Sequence, residues 1–271
     1  MPSIDNQACA NERLDALRYS PFHRLLYLKN QKAGCTSIEY SLWRDYDRKT
    51  GQRTFKGRTH DHQSPILGGV QALLTENAEI LNQIEVFTAV RNPFTRALSA
   101  YLHHVFDGSL RSRLFRRLGL WRSQLIREQF FSAIQVDSQK SLSFAEFTKR
   151  LVDTPVDRLT GHFRPQVNNV LWNELHCDFV GRLEDPEGMT EYFGRHQIAF
   201  KTRAMHAQNA RRKLERYYDA PSAERISHYY AADFAAFGYL PSDPNAVPQG
   251  PICQPSGRPP IGEFLREMLR P

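Results

Sequence analysis

Cysteine is scarce. The 271-residue chain holds four, Cys9, Cys35, Cys177 and Cys253, spread too widely for a disulfide lattice or for the paired spacing of a zinc site, and a reducing compartment is the simpler reading. Long hydrophobic runs are missing too. No stretch approaches the roughly 18 consecutive apolar residues of a membrane-spanning helix. The polar start MPSIDNQACANERLD lacks the apolar centre of a secretory signal, which predicts a soluble, cytoplasmic protein. There is no internal repeat, and the one biased segment is a Pro- and Gly-rich tail over Pro241–Pro260, expected to form an extended strap before a short helix at Ile261–Leu269. An acidic surplus is absent: 36 Lys+Arg against 29 Asp+Glu give a formal +7, which suits an anionic partner such as a phosphate ester, an acidic glycan or a lipid headgroup.

What is present suffices for a folded core. Hydrophobic residues make up 41% and charged residues 24%, which excludes disorder over most of the length, and the size fits one large domain or two small ones. Arg24-Leu-Leu-Tyr-Leu-Lys29 has the length of a buried strand and runs into the polar turn Asn30 to Gly34. A helix should open there, with Thr36 and Ser37 available as caps and Ile38, Leu42 and Trp43 at helical spacing. A second strand, Ile84 to Arg91, stops at Asn92-Pro93 and leads into a helix through Phe94, Leu98 and Leu102, with Pro93 suited to its first position. A third strand is expected at Cys177 to Arg182. Alternating strands and helices predict a mainly parallel α/β sheet, whose ligands bind at the carboxyl ends of the strands. Both turns lie at that edge.

The first turn, Asn30-Gln-Lys-Ala-Gly-Cys-Thr-Ser37, puts a lysine, a glycine and two hydroxyls at a helix N-terminus, where amide groups and the helix dipole favour an anion. It is not a Walker A loop, because Lys32 precedes Gly34 instead of following it. On its own it reads as a phosphate cradle or as an ordinary tight turn. In the second turn, Arg91 stands at the end of a buried strand, where an uncompensated cation is costly, and Ser99 follows eight residues later in the next helix. The pair reads as a grip on one phosphate, or as an arginine paired with a carboxylate beside a packing serine.

Together the two turns resemble the sulfotransferases that use 3′-phosphoadenosine 5′-phosphosulfate (PAPS) as donor. Lys32-Ala33-Gly34-Cys35-Thr36-Ser37 is similar to their 5′-phosphosulfate loop, and Arg91 with Ser99 to their 3′-phosphate motif. Val90-Arg-Asn-Pro-Phe-Thr-Arg-Ala-Leu-Ser-Ala-Tyr101 resembles the carbohydrate sulfotransferase branch (sulfotransferase family 2), with mild departures at Asn92 and Ala97. His162-Phe-Arg-Pro-Gln166, Asp178 to Glu184 and Tyr229 to Tyr239 resemble later segments of that branch in the same order. The resemblance implies a P-loop-like, three-layer α/β/α fold in a single domain over 1–271, with its core at about 22–240. It also implies PAPS as donor and 3′-phosphoadenosine 5′-phosphate (PAP) as product, with no metal. The animal enzymes carry a Golgi anchor, so the soluble bacterial-type members are the better match.

By that resemblance Lys32 stabilises the leaving 5′-phosphate while the amides of Gly34 to Ser37 hold its other oxygens. An acceptor hydroxyl also needs a base. Thr59-His60-Asp61-His62-Gln63 lies between the phosphate motifs, where related enzymes carry a catalytic histidine or glutamate. His62 is favoured over His60, with Asp61 a weaker alternative and solvated surface histidines the plain reading; two histidines without a third ligand do not complete a zinc site. His162 and Glu184 are candidates for binding the acceptor, and Arg203 or Arg212 for closing over the adenine and 3′-phosphate. Leu110 to Arg122, with apolar residues at helical spacing among arginines, fits a basic amphipathic helix that packs on the body, touches a membrane periphery or faces an acidic acceptor. A nucleotide-dependent phosphotransferase is the runner-up, although acidic magnesium ligands and a Walker lysine are missing from the expected context. A nucleic-acid- or membrane-binding module would leave the Lys32 and Arg91 turns without purpose, so no nucleic-acid partner is expected; the resemblance implies a carbohydrate or glycolipid acceptor.

Overall fold

The computed structural model describes residues 17–55, 73, 75–106, 124–202 and 209–268. In chain order the elements used below are β1 (Leu17–Ser20), β2 (Leu25–Leu28), α1 (Cys35–Thr50), β3 (Glu85–Val90), α2 (Pro93–Ala100), α3 (Gln124–Ala133), α4 (Phe144–Val152), β4 (Phe179–Arg182), α5 (Pro186–Arg195), α6 (Ala220–Tyr229), α7 (Ala231–Phe237) and α8 (Ile261–Met268). The chain divides into two compact units, one drawn from 1–90, 167–205 and 251–271, the other from 91–166 and 206–250.

The first unit holds an open sheet in the order β1-β2-β3-β4. β2, β3 and β4 are parallel, with Leu28 beside Thr88 and Val90 beside Arg182. The mixed α/β class with a mainly parallel sheet is therefore as expected, and β2 and β3 end at one edge. β1 is an addition: it pairs antiparallel with β2 through a tight turn at 21–24, and four residues with only two apolar ones gave no periodic signal. One face of the sheet, Leu25, Tyr27, Phe87 and Ala89, packs against Ile38, Leu42 and Trp43 of α1 and Met189, Tyr192 and Phe193 of α5. Each such side chain taken out of water contributes about 1.5–3 kcal/mol. Phe179 stacks on Tyr192 at 3.9 Å between ring centroids.

The start of α1 differs from the expected capping. Its N-cap is Gly34, with no side-chain cap bond, and Thr36 and Ser37 sit inside the first turn. From Pro251 onward the tail is a strap within this unit. Gln254 accepts from the Cys177 amide and donates to the carbonyls of Trp172 and Leu175, each at 2.8 Å, and α8 buries Ile261, Phe264 and Leu265.

The second unit is helical. α2 begins as expected, with Pro93 in its first turn and Asn92 accepting from the Phe94 amide. It continues into a π-helical turn, Tyr101–Val105, closed by the Phe106 amide on the Tyr101 carbonyl at 2.8 Å. Ser143 and Glu146 form a capping box on α4. Two arginines are fully buried here. Arg96 donates to the carbonyls of Arg164 and Gly161, both at 2.8 Å, and Arg127 donates to those of Ser138, Lys140 and Val105. Charge-assisted bonds to carbonyls offset the desolvation of each guanidinium.

Candidate active site

The turn after β2 is built by buried polar contacts. Asn30 is fully buried; its Nδ2 donates to the Ala89 carbonyl at the end of β3 at 3.0 Å, and its Oδ1 accepts from Asn169 at 3.2 Å. The loop is thereby tied to the neighbouring strand. The chain then turns through two left-handed residues, Lys32 at φ 68° and Gly34 at φ 85°. The left-handed φ favours glycine at position 34, and a Cβ there would also stand 2.9 Å from Leu183 Cδ1, the end of an exposed side chain just beyond β4. The Ser37 and Ile38 amides fold back onto the Gly34 carbonyl at 2.9 and 3.2 Å. The loop thus arches over the start of α1, a sixteen-residue helix whose first turn contains no acidic side chain.

On α1, four residues past Cys35, stands a buried carboxylate that sequence reasoning missed. Glu39 has no side-chain exposure, pairs with Lys29 Nζ at 2.8 Å and lies 3.8 Å from Arg18 Nε. Burial pushes the Cys35 thiol up, and the pull of Lys29 and Lys32 only partly opposes that and the push of Glu39. Cys35 is therefore a thiol, not a nucleophilic thiolate.

The turn after β3 is equally constrained. The Arg91 amide donates to Gln166 Oε1 at 2.9 Å, Gln166 Nε2 donates to the Arg91 carbonyl at 2.8 Å, and Arg91 Nε donates to Thr95 Oγ1 at 2.9 Å. The Gln166 amide donates in turn to Asp233 Oδ2 at 2.8 Å, and neither Gln166 nor Asp233 has exposed surface. Ser99, expected two turns along, is 3% exposed on α2.

His162 is half-buried and its ring meets the His104 ring edge-on, 4.6 Å between centroids. His104 Nε2 is 3.2 Å from His103 Nδ1. These two neighbours were missed because a π-helical turn leaves no periodic mark in the sequence. Glu184 is half-buried after β4, and Arg212 is exposed in the turn Ala210–Lys213. His60, Asp61, His62, Arg203 and the basic stretch 110–122 lie outside the described residues. Among the described residues, no group of three or more His, Cys, Asp or Glu is placed to hold a metal ion, and no helix is long and apolar enough to cross a membrane.

A model of the sulfotransferase family matches residues 15–240. That span carries both turns and every later landmark up to Leu240, and the chain belongs to the sulfotransferase family, whose chemistry is sulfuryl transfer to a hydroxyl-bearing acceptor. Searches of curated proteins and of solved structures find no match.

Proposed function

We propose that this sulfotransferase uses PAPS as donor and a hydroxyl of a carbohydrate or glycolipid as acceptor, by in-line transfer with a histidine base. The observation that carries the reading is the left-handed arch at Lys32 and Gly34 at the start of α1. Such an arch supports a phosphate beside the positive end of the helix. The Ser37 amide is already bonded to the Gly34 carbonyl, so the amides of Cys35 and Thr36 are the first-turn donors such an anion would meet.

PAPS supplies the sulfuryl group: the acceptor oxygen forms its bond to sulfur as the bond from sulfur to the 5′-phosphate oxygen breaks, and PAP departs. Lys32 neutralises the charge that grows on that phosphate, by the same electrostatic logic that governs phosphoryl transfer. Arg91 and Ser99 hold the 3′-phosphate, and Arg203 or Arg212 covers the nucleotide. His62 takes the acceptor proton, with His60 as the alternative, while His162 and Glu184 contact the acceptor. No metal enters the step.

A screen of glycans, glycolipids and small alcohols with sulfur-labelled PAPS identifies the acceptor. On that acceptor, His62→Ala should nearly abolish transfer while PAP binding persists, since the base touches the acceptor and not the donor. A dead His60→Ala with an active His62→Ala moves the base by two residues. Near-wild-type activity in both excludes this pair.

A further inference from the structure

We infer that Gln166, backed by Asp233, is a positioning residue for Arg91 and sets how strongly the protein distinguishes a nucleotide with a 3′-phosphate from one without. The inference rests on the donor reading above. β3 ends at Val90, so Arg91 is the first residue past the last ladder position. Gln166 gives it a replacement partner: one primary amide accepts from the Arg91 N–H and donates to the Arg91 C=O, at 2.9 and 2.8 Å. That is the pair of bonds a neighbouring strand would make, supplied by a neutral side chain of the right length. Its own backbone is fixed by the buried Asp233 carboxylate at 2.8 Å. With its backbone held on both sides and its Nε bonded to Thr95 at 2.9 Å, Arg91 has the plane of its guanidinium set at one edge. The Nη pair is the fork that matches a phosphate.

Gln166 and Asp233 fall within segments quoted above for the family resemblance, and this geometry gives them a task that their place in the sequence did not. The two bonds from the Gln166 side chain to Arg91 both fall on the Arg91 backbone, so through them the residue acts on Arg91.

Calorimetry with PAP and with adenosine 5′-phosphate tests this. Wild type should bind PAP roughly ten- to a hundredfold more tightly, the range of a charged hydrogen-bonded contact, and Arg91→Ala should collapse that ratio. Gln166→Glu keeps the acceptor and the shape but loses the donor to the Arg91 carbonyl. It should lower the ratio at least fivefold while changing affinity for adenosine 5′-phosphate less than twofold. Combined with Arg91→Ala it should lower the ratio no further, a non-additivity that a general loss of stability would not produce. Thr95→Val, which removes the Nε contact from a different residue, should lower the ratio in the same direction. A wild-type ratio retained in folded Gln166→Glu, or strict additivity with Arg91→Ala, overturns the inference. A wild-type protein that binds both nucleotides equally overturns the donor reading with it, and does so before any substitution is made.

Discussion

At the scale of the residue, the proposed mechanism gives Lys32 and Gly34 separable tasks. In it Lys32 acts on charge that appears as the leaving phosphate forms, so Lys32→Ala should lower kcat by about two to three orders of magnitude while weakening PAP binding much less. Steady-state kinetics beside PAP calorimetry checks this, and parallel losses in both would contradict it. Gly34 acts on shape. An alanine there meets Leu183 Cδ1 at 2.9 Å in a left-handed conformation, a backbone cost of about 1–2 kcal/mol. Gly34→Ala should therefore lower the denaturant midpoint and also blunt the stabilisation that PAP gives, whereas Gly51→Ala, with nothing within 4 Å of its Cβ, should do only the former. Lysine, glycine and arginine were legible in the sequence because charge and conformational freedom are written in residue type. Asn30, Glu39 and Gln166 were not, because a buried amide or carboxylate declares itself only when its partner arrives from 59 or 75 positions away or, for Glu39, from the preceding strand.

Among elements, α1 links the loop to a polar network at its far end. Asp47 accepts from the Thr54 amide and hydroxyl at 3.0 and 2.6 Å and from the Phe55 amide at 3.2 Å. Burial alone would raise its carboxyl, but these bonds outweigh it and hold the group below the ordinary value of 3.8. A carboxylate depressed on folding stabilises above its unfolded pKa, and that contribution is lost as pH falls through the folded value. Resistance of wild type to urea should weaken on going from pH 5 to pH 2.5, and Asp47→Asn should show less of that dependence while being less stable at pH 5. An identical pH profile in the variant would remove Asp47 from the account. The parallel strands were readable as apolar runs between turns, and Asn92-Pro93 marked the start of α2. β1 escaped because an edge strand of four residues has no room for periodicity. The π-helical turn escaped because it alters hydrogen-bond register without altering composition.

For the whole molecule, the formal +7 predicted an anionic partner, and burial among the described residues does not remove that surplus: Arg96 and Arg127 are spent inside on backbone carbonyls, but Glu39, Asp45, Asp47 and Asp233 are buried as well. The proposed donor rests instead on two turns leaving parallel strands and on the family match over 15–240. The most direct measurement is the melting temperature of the full chain with PAP, with ATP plus magnesium, and with duplex DNA. At a hundred times its dissociation constant PAP should raise the midpoint by about 5 °C or more, with little change from the other two. Stabilisation by ATP–magnesium equal to or greater than that by PAP would contradict the central claim.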